Sequence, residues 1–246
     1  MRTRCVGSGI RFNRRGDFLL GVVTRVWRMA RMKDYPPPLI GLAVALAALA
    51  GFVDAIAFTR LGGYFVSFMS GNSTRLGVGI GLADGTAALA AGLILAFVAG
   101  VMAATIVARR FAARRKVAVL SAVTATLALA AALWMVVPGP FPLLLVAAAM
   151  GMENGVFARD GEVAIGVSYM TGSLVRMAQR LAGALMGDPD RWAFVPHLML
   201  WLGFAVGVVL GAKLGLAAAD AALWIAAIAA GGLTLVAAGL TRGVTR

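Results

Sequence analysis

Cysteine and histidine are almost missing from this chain of 246 residues, where Cys5 and His197 stand alone. One cysteine excludes a disulfide framework and any Cys-rich metal site. One histidine excludes a multi-histidine metal centre. Charge is scarce too: Asp, Glu, Lys and Arg make up 13% of the residues, about half of the roughly 25% usual in a soluble domain. There are 10 acidic residues against 23 basic ones, and only 3 of the latter are lysine. So little polar surface remains that the net charge of +13 is not read as a nucleic-acid footprint. It is read as the basic flanks of a membrane protein lying against anionic lipid. A hydrolase elbow, a phosphate loop, a dinucleotide fingerprint and a metal-binding histidine pair are all lacking. No enzyme activity, cofactor or metal is therefore expected.

What fills the chain is apolar. Hydrophobic residues reach 61% and the mean hydropathy is +0.90. Residues 86–108, 117–152 and 221–241 contain no charge, and about 20 such residues suffice to cross a bilayer. Six stretches read as transmembrane helices, at 39–59, 86–108, 117–137, 141–158, 194–213 and 220–241. Pro138-Gly139-Pro140 makes an uncharged hairpin between the third and fourth. The expected fold is all-α and transmembrane, with about six spans plus two interrupted or re-entrant segments. The expected organisation is a basic extension over 1–38, a membrane repeat over 39–137 and a second repeat over 138–246 with a short basic tail.

The extension carries nine basic residues before Pro36-Pro37-Pro38. Arg25, Arg28 and Arg31 recur at helical spacing among Leu20, Val23, Trp27 and Met32, which suits an amphipathic helix on the inner leaflet. A disordered basic tail, or residues ahead of a later start at Met29 or Met32, fits equally. Asn13 to Leu20 has too short an apolar run for a twin-arginine signal.

The two interrupted segments, 61–83 and 163–186, are rich in Gly, Ser and Thr, and their motifs align. V-S-F-M-S-G-N-S-T-R-L at 66–76 matches V-S-Y-M-T-G-S-L-V-R-M at 167–177 at five of 11 positions. Gly51-Phe52-Val53-Asp54 matches Gly151-Met152-Glu153-Asn154, and F-V-A-G-V at 97–101 matches F-A-V-G-V at 204–208. Three collinear matches point to an internal duplication with the Pro138 hairpin at its seam.

Basic residues choose the topology. With the extension inside and Arg75, Arg176 and Arg180 set aside, six spans place 18 basic residues inside and 2 outside. If both motif segments span, the split is 12 to 8; if only the second spans, it is 16 to 4. The positive-inside rule favours six spans, with both termini cytoplasmic in the bacterial inner membrane. Three spans per repeat invert one half relative to the other, a recurring transporter plan with its site between the interrupted segments.

Candidate site residues follow from that plan. A helix break is expected at Gly71-Asn72. Ser70, Asn72, Ser73 and Thr74 would satisfy the freed backbone, and Arg75 would add charge to an electropositive helix start suited to an anionic solute. Thr171, Ser173 and Arg176 are the counterparts. Asp54 and Glu153, with Asn154 beside the latter, are costly at membrane depth and call for partners. Asp54 with Arg75 and Glu153 with Arg176 are the expected pairs within the halves, and the inverted plan also permits cross-pairs. Proton coupling by either acid is the sharper alternative to a structural ion pair. Packing of small residues is the other reading of the same motifs.

A-G-F-V-D-A-I-A-F at 50–58, followed by G-G-Y-F-V-S-F-M-S-G-N-S-T-R-L-G at 62–77, closely resembles the signature of the YoaK-type bacterial membrane proteins. The resemblance covers about 39–241, and its hallmark positions here are Gly51, Asp54, Gly63, Ser70, Gly71, Asn72 and Arg75. It implies a small polytopic membrane protein of unknown function, and it supplies no substrate. Ser173 stands where the first motif has Asn72. Transport of a small solute is the expected role, and a membrane scaffold or sensor acting through a partner is the alternative.

Overall fold

A computed structural model describes residues 36–83, 85–159, 162–163 and 166–242. The basic extension expected as an amphipathic or disordered segment lies outside the described residues. Eight α-helices occur among the described residues: α1 (Pro37–Arg60), α2 (Met69–Leu82), α3 (Thr86–Arg110), α4 (Arg115–Trp134), α5 (Phe141–Glu153), α6 (Met170–Leu185), α7 (Val195–Ala217) and α8 (Ala219–Arg242). The two-residue strands Ala158–Arg159 and Glu162–Val163 pair between α5 and α6. Proline stands in the first turn of α1, α5 and α7, where its missing N–H has no helical partner to lose.

Five segments are long and apolar enough to cross a membrane: Pro37–Arg60, Thr86–Arg110, Ala112–Trp134, Val195–Ala217 and Asp220–Thr241. Large apolar side chains such as Leu95, Ile106, Val209 and Leu235 remain exposed on them, as a lipid-facing surface requires. The span expected at 141–158 is shorter. Helix α5 has 13 residues, about 20 Å at 1.5 Å per residue, against a hydrocarbon core of about 30 Å. Asn154 ends it: its amide nitrogen donates back to the Met150 carbonyl at 3.0 Å, and its oxygen accepts the Ser168 hydroxyl at 3.0 Å.

The first motif is interrupted, but not at Gly71-Asn72. Residues 61–68 are irregular, and α2 runs unbroken from Met69 through both of those positions. The reversal falls at Gly62 and Gly63, whose φ values of 66° and 93° only glycine adopts without strain.

The buried apolar residues fall into two clusters, one at each end of the bundle, and these fix the direction of every long helix. One holds Leu49 to Ala57 of α1 with Ala90 and Leu93, Val123 to Ala131, Leu143 to Met150, and Ala222 to Ala230. The other holds Leu42 to Ala47 of α1 with Ala104, Val119 and Leu120, Val156 and Phe157, Leu200, and Ala237. Helices α4 and α7 therefore run with α1, while α3, α5 and α8 run against it. Helix α2 lies between the opposed helices α1 and α3, so it enters and returns without carrying the chain across. Helix α6 does the same between α5 and α7. Tyr64 and Val66 join the first cluster, and Val167 and Met170 the second. The two segments thus enter from opposite ends.

Glycine sets the closest contacts. Gly203, Gly207, Gly211 and Gly215 of α7 meet Val44, Ala48, Phe52 and Ile56 of α1 in the same order. At Gly207 a Cβ would collide with the Ala48 carbonyl. Without an apolar solvent difference to drive helices together in lipid, such backbone approach supplies the packing. Near the middle of α4 and α8, the Thr124 and Thr234 hydroxyls meet at 3.1 Å. Thr124→Val is expected to cost about 0.6 kcal/mol, the mean for interhelical hydrogen bonds in membranes, and reversible unfolding in detergent measures it.

Candidate functional site

Asp54 sits in α1, six residues from its end, and is 3% exposed. The irregular segment after α1 folds back to it. Oδ1 accepts the backbone N–H groups of Val66 at 2.8 Å and Ser67 at 2.7 Å, and Oδ2 accepts the Ser67 hydroxyl at 2.6 Å. The chain's own carboxylate thus satisfies the backbone just ahead of α2. Arg75 does not pair with it. Its guanidinium carbon stands 4.5 Å from the centre of the Tyr64 ring, and Tyr64 is fixed by a 2.9 Å hydrogen bond from its hydroxyl to the Thr86 carbonyl. A Cβ at Gly63 would meet the mobile end of the Arg75 side chain, so it is the positive φ of 93° that selects glycine there.

Asn72 is fully buried. Its amide nitrogen donates to the Phe65 carbonyl at 2.6 Å, and its oxygen accepts the Phe65 N–H at 3.0 Å. It pairs with the irregular backbone as a neighbouring strand would. Asn72→Ala strands both groups and is expected to cost about 1–3 kcal/mol, read as a lowered unfolding transition. Ser70 and Thr74 are exposed on α2, and the Thr74 hydroxyl donates to the Ser70 carbonyl at 3.2 Å.

At the aligned positions of the second motif, Asn154 stands opposite Asp54 and Ser168 opposite Ser67, and the Ser168 hydroxyl donates to the Asn154 side chain at 3.0 Å. Ser173 is buried, and Thr171 and Arg176 are exposed. The Arg176 Nε donates to the Gly172 carbonyl of its own helix at 3.2 Å. Glu153 therefore lacks the expected arginine. It is 0% exposed, and neither carboxyl oxygen has a hydrogen-bond partner among the described residues. Asp54 is close enough to act on it electrostatically. Of the ten candidate residues, the structure buries Asp54, Asn72, Glu153, Asn154 and Ser173, and α1 and α5, which carry Asp54 and Glu153, pack on each other. Sequence reasoning gave no role to Ser67, Ser168 or Tyr64, although both serines are identities of the aligned motif.

Residues 42–236 match a family described as "Protein of unknown function (DUF1275)". The chain belongs to this family. The DUF1275 match takes in part of every helix from α1 to α8. UPF0700 transmembrane protein RA0705 of Rhizobium meliloti (strain 1021) is 35% identical over 208 residues, covering 80% of this chain and 85% of the relative. UPF0700 transmembrane protein YoaK of Bacillus subtilis (strain 168) is 27% identical over 166 residues, covering 63% of this chain and 72% of the relative. No solved structure matches. The resemblance to the YoaK-type proteins thus holds, and this DUF1275 chain is a multi-pass membrane protein.

Proposed function

We propose that this chain is a transporter of a small solute in the bacterial inner membrane, built as two inverted repeats. The observation that carries the reading is the entry of α2 and α6 from opposite ends of the bundle. Asp54 of α1 holds the irregular segment ahead of α2, and Asn154, just past the end of α5, holds Ser168 ahead of α6. Broken segments in corresponding places of opposed halves mark the substrate region in many transporters.

The duplication draws support from packing. A Cβ at Gly51 would strike the Phe204 carbonyl, and one at Gly151 the Phe97 carbonyl. Gly207 lies against the Ala48 carbonyl as Gly100 lies against that of Ala148. Helix α1 therefore packs on α7 as α5 packs on α3. Positive charge supports the orientation: the start of α1, the Arg109–Lys116 stretch and the end of α8 share one end of the bundle. That end is assigned to the cytoplasm, where anionic lipid would meet the basic extension.

Burial of Asp54 and Asn72 favours a second reading, a scaffold or sensor acting through a partner, because both residues already have internal partners. A thermal-shift screen of the purified full chain across solute classes, followed by uptake of the best binder into proteoliposomes, separates the two. A transporter should be stabilised by about 2.7 kcal/mol at 100 times the dissociation constant, and should accumulate that solute. A solute that binds but never enters, or a screen without binders, favours the second reading.

A further inference from the structure

Glu153 has no part in holding either irregular segment, and its surroundings ask for another explanation. The motif alignment sets it opposite Val53 of the first half. Both positions are 0% exposed, but only one is apolar. Asp54, one residue on from Val53, has three donors; Glu153 has none among the described residues. A bare carboxylate in a dry core loses its hydration and gains nothing in return, whereas the neutral acid loses far less. The charges around it do not offset this. From α1 the titratable neighbour is Asp54, an acid that offers no positive charge. The other helices packed on α5 are α3 and α4, which carry Arg109, Arg110, Arg115 and Lys116 at their ends only. Arg60 of α1 is turned to the Gly215 carbonyl, 3.0 Å away.

We infer that Glu153 is a proton-binding site in the core of the bundle, the ligand being a proton exchanged with water when the bundle opens. The step is one O–H bond formed at the carboxyl from a hydronium ion and broken to return it; nothing is oxidised or reduced. Asp54 has amides and a hydroxyl to solvate a charge, and Glu153 has neither among the described residues. Glu153 holds its proton while the core is dry and releases it when water arrives. As the coupling ion of solute transport, this proton rests on the transporter reading. As a bound and exchangeable proton, it does not.

Infrared difference spectroscopy of the full chain in lipid nanodiscs, at neutral pH and after transfer to deuterium oxide, reads the site directly. A carbonyl stretch of a buried protonated carboxylic acid is expected in the wild type, with a downshift in deuterium oxide as the proton exchanges. The band should vanish in Glu153→Gln and in Glu153→Val, which installs the residue of the aligned position, and should persist in Asp54→Asn. Absence of the band from the wild type, or its survival in either Glu153 variant, would overturn the assignment. A band that never shifts in deuterium oxide would also overturn it, because a sealed acid exchanges no proton. Failure of the solute screen would leave this band untouched, so the two readings fail separately.

Discussion

Gly207→Ala and Gly100→Ala are expected to destabilise the protein by about 1–3 kcal/mol each, the range for overpacking a tight core. The loss should appear even though alanine is favoured over glycine in a helix by about 0.8–1.0 kcal/mol. At both positions the new methyl group would meet a backbone carbonyl, of Ala48 and Ala148 respectively, and a carbonyl cannot move without its helix. The helices must separate, and the contacts along α1 and α7, or α3 and α5, loosen together. A Cβ at Gly77 or Gly232 would meet nothing within 4 Å or only open space on the helix surface, so Gly77→Ala and Gly232→Ala should be neutral or slightly stabilising. Unfolding of the four variants in one detergent makes the comparison. Equal behaviour of all four would remove the close glycine contacts from the account.

Asp54→Ala is expected to be the most damaging single change at the first motif, at about 3–5 kcal/mol. It orphans the N–H groups of Val66 and Ser67 and the Ser67 hydroxyl, and each buried unsatisfied donor costs about 1–3 kcal/mol. Asp54→Asn keeps one acceptor oxygen and copies the second half, where Asn154 holds Ser168; about 1–2 kcal/mol is expected for it. Arg75→Ala should not rescue Asp54→Ala, because the arginine answers to Tyr64 and not to the acid. A double-mutant cycle with a coupling energy beyond about 0.5 kcal/mol would restore the ion pair that the sequence led one to expect.

That contrast marks where the sequence was legible. Long uncharged runs identify the spanning helices because a bilayer demands length and apolarity alone, and five of the six expected spans appear at those places. Arginine counting anticipated that α2 and α6 return to the side they entered from. Asp54 was legible as a residue needing partners, but its partners were not. Two of its three donors are the backbone N–H groups of Val66 and Ser67, and such groups leave no mark in a sequence, whereas an arginine nearby invites pairing. The helix break was misplaced for a related reason. Gly71-Asn72 and Gly62-Gly63 both permit one, and the decision lay with Asn72 itself, whose amide is bound to Phe65. The early end of α5 was hidden because 154–157 stays largely apolar, and the contact that ends the helix is to Ser168.

Helices α2 and α6 enter the bundle from opposite ends and return. Single cysteines placed in a Cys5→Ser background, at Thr59, Gly85, Phe111, Val136 and Asp188, test it by labelling with a membrane-impermeant maleimide from each face of the membrane. Thr59 and Gly85 flank α2 in the chain, and should label from the same face as Val136. Phe111 and Asp188 should label from the opposite face. Labelling of Thr59→Cys and Gly85→Cys from opposite faces would mean that α2 crosses the membrane, and the inverted plan would be contradicted.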